Sequence, residues 1–263
     1  MEGAAAGIRW ETKDRTLVLT IDRQDSRNAL DPDAHHQLAS LFDSFADSDV
    51  HLVAIVTGAG DRAFCAGSDL KVRAGLDRAH LPSTGFAGLA ERFDLTKPVI
   101  AAVNGDAIGG GMEIVLACDL CVAVPSARFA LPEPRVGLAA SGGLHRLARQ
   151  LPLKQAMEVA LTGRMFSAAE AAETGVVNRI AAPADGSGAA LSMALEMAEM
   201  ICRGAPLAVK ATKEMMMGGL DLPDLAAAYS ASYPTFEAML KSDDAAEGRD
   251  AFLQKRKPRW QGT

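Results

Sequence analysis

Four short apolar runs, each ended by a chain breaker and separated by stretches of helical character, constrain the fold of this 263-residue chain most. Residues 17–21 (Leu-Val-Leu-Thr-Ile), 51–58, 99–103 and 120–124 are each too short for a helix. They end at Asp22, at Thr57-Gly58-Ala59-Gly60, at Asn104-Gly105 and at Pro125. Apolar runs of this length, bounded by Gly, Pro, Asn or Asp, predict buried strands. Helices are predicted between and after them. One spans 32–45, with Asp31 as cap and Pro32 at the first helical position. Another, 110–118, comes after a glycine cluster. A third, 167–174, opens with Ser167 and Glu170 in capping-box spacing. Residues 181–188 (Ala-Ala-Pro-Ala-Asp-Gly-Ser-Gly) read as a linker or surface loop. Beyond them only helices are predicted: 191–203, 206–217, 222–240 and 242–255. The reading is α/β for residues 1–188, with a helical region over 189–263.

A chain of this length, 49% hydrophobic, has material for one sizeable core. Its net charge of −6 argues against a general nucleic-acid binder. No basic-then-apolar leader and no apolar run of roughly 18 residues is present, so neither a signal peptide nor a membrane span is expected. The four cysteines, Cys65, Cys118, Cys121 and Cys202, do not form a secreted disulfide framework. A cytoplasmic location is expected.

Two loops have the make-up of a ligand site. Residues 62–71 (Arg-Ala-Phe-Cys-Ala-Gly-Ser-Asp-Leu-Lys) come after a predicted strand and carry small residues where a ligand can approach the backbone. In residues 104–113 (Asn-Gly-Asp-Ala-Ile-Gly-Gly-Gly-Met-Glu) three glycines leave a strand and open a helix. The N–H groups at a helix start have no intrahelical partner and suit an anion, although a glycine triplet alone also fits a plain tight turn. Glu113 stands just inside that helix, before Ile-Val-Leu-Ala-Cys. Apolar surroundings raise a carboxyl pKa, as a proton-transfer group requires. Glu133 lies between Pro132 and Pro134, which stiffen its loop.

Both loops and the segments C-terminal to them resemble the enoyl-CoA hydratase/isomerase (crotonase) superfamily. The matches run in order from Ser26-Arg27-Asn28-Ala29-Leu30 through the Ala63–Lys71 loop. They continue through Lys97-Pro98-Val99-Ile100-Ala101-Ala102-Val103-Asn104-Gly105, the Gly-Gly-Gly-Met-Glu turn, Cys118-Asp119-Leu120 and Phe129-Ala130-Leu131-Pro132-Glu133. Later matches are Val136-Gly137-Leu138, Ser141-Gly142-Gly143, Leu161-Thr162-Gly163-Arg164 and the ending Ala-Phe-Leu-Gln-Lys-Arg-Lys-Pro. The resemblance implies a spiral of ββα units with a C-terminal helical region used in trimer formation, and a homotrimer or dimer of trimers. It implies a coenzyme A thioester as substrate and no separate cofactor. It places an oxyanion hole at the backbone N–H groups of Ser68 and Gly110. Glu113 and Glu133 become the catalytic acid/base pair, at the hydratase spacing of twenty residues. Arg27, Ala29, Ala66, Asp69, Leu70 and Lys71 are the implied CoA and substrate contacts. The basic tail Lys255, Arg256, Lys257 and Arg259 is an implied cofactor contact, or else a solvated helix end.

The expected reaction is hydration of a 2-enoyl-CoA to the 3-hydroxyacyl-CoA. The alternatives are double-bond isomerisation or other enolate chemistry on the same fold, and a non-catalytic acyl-CoA-binding protein. Residues 137–145 lack the proline common after their Gly-Leu step and, with residues 72–92, border the family's acyl pocket. The resemblance therefore leaves the acyl chain open. No metal site is expected, because Cys118-x-x-Cys121 has no second ligand pair. His35 and His36 read as surface, His145 as a packing residue, and Met215 to Met217 as core or acyl-pocket lining.

Overall fold

The computed structural model describes residues 1–69, 71, 80–182 and 188–263. The predicted loop at 181–188 therefore falls mostly outside the described residues. In chain order the described strands are β1 Glu2–Ala5, β2 Ile8–Lys13, β3 Thr16–Ile21, β4 Val53–Gly58, β5 Ala63–Cys65 and β6 Val99–Val103. They continue with β7 Asp106–Ile108, β8 Leu120–Ala123, β9 Arg128–Ala130, β10 Phe166–Ser167 and β11 Arg179–Ile180. The described helices are α1 Pro32–Asp47, α2 Gly110–Ala117, α3 Leu144–Gln150, α4 Leu153–Thr162 and α5 Ala168–Glu173. After them come α6 Ala189–Cys202, α7 Pro206–Leu220, α8 Leu225–Ser230, α9 Pro234–Leu240 and α10 Asp243–Leu253.

The strands divide between two sheets, with orders β1-β2-β3-β4-β6-β8-β11 and β10-β9-β7-β5. From β4 to β9, successive strands alternate between the large and the small sheet. The chain thus winds as a coil, and each turn gives one strand to each sheet. In the large sheet β3, β4, β6, β8 and β11 are mutually parallel. Every residue of β4 and β6 is buried, as expected for parallel strands covered on both faces. This is why they read in the sequence as unbroken apolar runs.

The four predicted strands are present within one or two residues of their predicted bounds. The helix at 32–45 is α1. Its Asp31 side chain accepts the Ala34 N–H at 2.9 Å, a cap worth about 1 kcal/mol. The capping box at Ser167 and Glu170 is formed in both directions. α6 packs Ala189, Ala190, Ala194, Met197 and Ala198 into the main core. The single helix expected over 222–240 is instead two, α8 and α9. Pro234 has no N–H to continue α8 and holds Tyr233 extended, at φ −124° and ψ 100°.

Three further expectations are corrected. His35 is fully buried rather than on the surface. His145 is exposed rather than packed. Met215, Met216 and Met217 are 36%, 67% and 46% exposed rather than in the core.

Candidate active site

The small sheet positions the site. Its parallel strands β5, β7 and β9 lie side by side, and their carboxyl ends lead directly into Gly67-Ser68, Gly109-Gly110 and Glu133 respectively. Ligands in parallel sheets gather at these ends because the connecting loops are free to vary there.

Each glycine of the triplet has its own reason. Gly109 adopts φ +57°, and a Cβ there would stand 2.9 Å from Glu133 Oε1. A Cβ on Gly110 would meet the Phe86 ring at 2.3 Å, and one on Gly111 would meet the Cys65 carbonyl oxygen at 2.0 Å. The first turn of α2 is therefore pressed between the Phe86 ring, the end of β5 and the Glu133 carboxyl. Gly67, at φ +92°, lies against this turn, its hypothetical Cβ 3.2 Å from the Gly110 nitrogen. Neither the Ser68 nor the Gly110 N–H donates to an acceptor among the described residues. Two neighbouring strand ends thus present two unengaged amides close together.

The loop before α1 braces this arrangement. Leu30 N–H donates to Gly67 O at 2.8 Å, and Asp69 N–H to Leu30 O at 2.8 Å. Ala66 N–H donates to Arg27 O at 3.1 Å. Asn28, 1% exposed, donates from Nδ2 to Ala59 O at 3.0 Å and to Ala63 O at 2.7 Å. Its Oδ1 accepts the Arg23 N–H at 3.0 Å. Arg23 bridges Asp31 at 2.7 Å and Asp69 at 3.5 Å, and donates to Ala29 O at 2.8 Å. Asn28 and Arg23 were not among the expected site residues. The signal for Asn28 lay in the Ser26–Leu30 segment, which abuts the Gly67-Ser68 loop only once the chain is folded, and Arg23 lies three residues before that segment. Asn28→Ala takes the partner from the Arg23 N–H and the Ala59 carbonyl and leaves Ala63 O with Asn104 Nδ2 at 3.3 Å, so a loss of roughly 2–4 kcal/mol in chemical denaturation is expected.

Glu113 is 8% exposed. Its Oε1 accepts the Gly142 N–H at 2.9 Å, and its carboxyl lies within 3.1–3.2 Å of where a Gly142 Cβ would stand. The Ser141-Gly142-Gly143 segment is therefore a cradle for this carboxylate, a role its composition alone did not show. Glu133 begins the 3-10 turn Glu133–Val136. Burial pushes its carboxyl pKa up, partly offset by a hydrogen bond from its own backbone N–H. Its Oε2 is buried with no hydrogen-bond partner among the described residues. Glu113 thus stands in the first turn of α2, and Glu133 Oε1 lies against Gly109 at the start of the same helix.

Of the expected CoA contacts, Arg27 and Lys71 are exposed, and Arg27 has a left-handed backbone at φ +55°. Ala29 is buried, while Ala66 and Asp69 are half-buried in the braced loop. Asp69 Oδ1 also accepts the Lys71 N–H at 3.1 Å. Leu70 lies outside the described residues. In the basic tail, Arg256 is held by Glu247 at 2.6 and 2.7 Å. Residues 137–145, expected beside the acyl pocket, contribute Ala139, Ala140 and Leu144 to an apolar cavity of about 300 Å³. Leu131 and Pro134 also line it. Cys118 and Cys121 are buried, and burial pushes both thiols well above their usual range, away from reactive thiolate. Among the described residues, no helix is long and apolar enough to cross a membrane.

A coil of paired strands, with two amides that are unengaged among the described residues at adjacent strand ends and two carboxyls borne by α2 and by the turn after β9, defines an α/β enzyme of crotonase type. A family model described as enoyl-CoA hydratase/isomerase matches residues 11–263. A carnitinyl-CoA dehydratase of Proteus mirabilis is 41% identical over 97% of this chain and 98% of its own length. One of Salmonella arizonae is 44% identical over 94% and 95%. Among solved structures, an enoyl-CoA hydratase from Mycobacterium marinum superposes with a TM-score of 0.91 at 40% identity, over 98% of this chain and 100% of that one. One from Mycobacterium tuberculosis gives 0.91 at 39%, with the same coverage. The chain belongs to the enoyl-CoA hydratase/isomerase family.

Proposed function

We propose that the protein is a hydro-lyase that interconverts a 2-enoyl-CoA thioester and the corresponding 3-hydroxyacyl-CoA. The observation that carries this reading is the placement of Glu113 in the first turn of α2, the turn that Gly110 opens, with Glu133 Oε1 against Gly109 just before it. A 2-enoyl thioester accepts a nucleophile at C3 only if the negative charge arriving on its carbonyl oxygen is stabilised. The Ser68 and Gly110 N–H groups supply that stabilisation in this reading. Water bound between the carboxyls adds its oxygen to C3. Glu113 takes the water proton and Glu133 delivers a proton to C2, so one water is consumed and the pair of carboxyls is unchanged in total charge. The raised pKa and orphaned Oε2 of Glu133 support its role as donor, and the amide-held Glu113 suits positioning of the water. Because the two groups share protons, their titration belongs to the pair. The same machinery run backwards eliminates water, in keeping with the dehydratase names of the relatives.

In this reading the CoA moiety of the substrate passes Arg27, Ala29, Ala66, Asp69, Leu70 and Lys71, and no separate cofactor takes part. The subunits form a homotrimer or a dimer of trimers. Support comes from the large apolar residues exposed on the C-terminal helices, among them Leu225, Tyr229, Leu240 and Phe252.

The test is turnover of crotonyl-CoA in 18O-labelled water, with dehydration of carnitinyl-CoA run in parallel. Labelled 3-hydroxybutyryl-CoA, or loss of water from carnitinyl-CoA, is the expected result. A shifted double bond without label would establish isomerisation instead. Binding without turnover across short, long, branched and cationic acyl groups would establish a binding protein. Reversing one charge on the proposed phosphate path tests that path. Lys71→Glu is expected to raise KM for CoA thioesters roughly tenfold, equivalent to about 1.4 kcal/mol, with kcat little changed. An unchanged KM removes Lys71 from the path.

A further inference from the structure

Phe86 covers Gly110 at the candidate site. Its support comes from α1. Gly85–Gly88 bend sharply, with φ +77° at Gly85, +55° at Ala87 and +66° at Gly88. Ala87 is not a glycine, so its left-handed backbone is disfavoured and must be held. The Ala87 N–H donates to His35 Nδ1 at 3.0 Å. Gly88 is pressed so closely to α1 that a Cβ would stand 2.4 Å from Ala39 Cα. Arg92 fastens the far end of the bend, donating to Gly88 O at 2.9 Å and to Ala39 O at 3.2 Å. The His35 and Phe86 rings meet edge to face, with centroids 4.5 Å apart.

His35 itself is fully buried. Since Nδ1 accepts, the ring proton sits on Nε2, and Nε2 has no partner among the described residues. A buried donor without an acceptor is costly, and an aliphatic residue at this core position would avoid that cost. The acceptor at Nδ1 is what only a polar side chain supplies here. Burial, with His80 and His36 nearby, pushes the imidazole pKa down to about 3, so Nδ1 remains available as an acceptor at neutral pH.

We propose that His35 is a positioning residue for the oxyanion hole: it fixes the strained Ala87 amide, and through it the Phe86 ring, against Gly110. This rests on the thioester reading of the site. The ring closes one side of the Gly110 turn and keeps it free of bulk water, where an N–H donor to a developing oxyanion is most effective. His35 touches neither substrate nor reacting atoms, so its effect is on turnover rather than on binding.

The experiment compares wild type with His35→Leu, His35→Asn, and His36→Leu as an exposed neighbouring control. It measures kcat and KM for crotonyl-CoA and amide hydrogen exchange at Ala87. Leucine keeps the bulk and removes the acceptor, whereas asparagine Oδ1 takes the place of Nδ1. His35→Leu is expected to lower kcat by about 10- to 100-fold, with KM changed by less than about twofold. Exchange at Ala87 is expected to accelerate by at least about tenfold, and His35→Asn to restore most of both. Wild-type kcat in the leucine variant, equal losses in both His35 variants, or unaltered protection of Ala87 would each overturn the proposal. A wild type inactive on crotonyl-CoA and on carnitinyl-CoA alike would count against the hydro-lyase reading instead, and the exchange data would then decide the His35–Ala87 contact on their own.

Discussion

Glu133→Gln and Glu113→Gln are each expected to lower kcat for hydration by about 10²- to 10⁴-fold, the range lost when a positioned acid or base is removed. Glutamine matches glutamate in shape, so the turn at Gly109 and the Gly142 cradle should survive while proton transfer does not. The two variants differ in stability for a reason rooted in burial. The folded state holds the Glu133 proton more tightly than the unfolded chain does. Ionising it on raising the pH through that pKa therefore costs folded-state stability. Glu133→Gln carries no charge to bury, so it should melt no lower than wild type at pH 7–8, and this advantage should shrink toward pH 4. Glu113→Gln has no such expectation, because its carboxylate accepts the Gly142 amide at 2.9 Å. Thermal unfolding across this pH range, beside kcat, checks both halves. Full activity in either variant would remove that carboxyl from the chemistry.

The second large effect is expected at Gly110. Proline there has the φ that a first helical position wants, so α2 itself should form. The N–H is gone, however, and the ring atoms enter space already filled by Phe86, 2.3 Å from a Cβ at this position. Loss of one oxyanion donor costs about 10²- to 10³-fold in kcat, near 3–4 kcal/mol. Displacement of Phe86 should deepen that loss. Gly110→Ala separates the two causes, since it keeps the N–H and adds only the collision. A kcat for Gly110→Pro within a few-fold of wild type would show that the amide is not a donor to the reacting oxygen.

The strands legible in the sequence were those of the large sheet, where burial on both faces leaves apolar runs of five or six residues. The small sheet was illegible because β5, β7 and β9 are three residues each. So short a run carries no periodicity. The edge strand β1 and its neighbour β2 were hidden by mixed polarity, as in Ile-Arg-Trp-Glu-Thr-Lys. His35 was readable in principle. It shares the i, i+3, i+7, i+10 spacing of Leu38, Phe42 and Phe45, all buried on α1. The polarity of a doubled histidine masks that position. The acid pair and the glycine turn were legible through family resemblance, whereas the groups that brace them (Arg23, Asn28, Phe86 and the Gly142 amide) depend on contacts between segments distant in the chain.

The side-by-side β5, β7 and β9 also act as a ruler. Neighbouring strands of a sheet stand about 4.8 Å apart whatever their sequences. Ser68, Gly110 and Glu133 each come just after one graduation of that scale. The spacing of the two amides and the Glu133 carboxyl is thereby set by backbone hydrogen bonding, which point substitutions scarcely alter. The segments beyond each strand end are free to change. A scaffold so calibrated can exchange its acid, its base or its acyl pocket and still hold a thioester oxygen at the same mark.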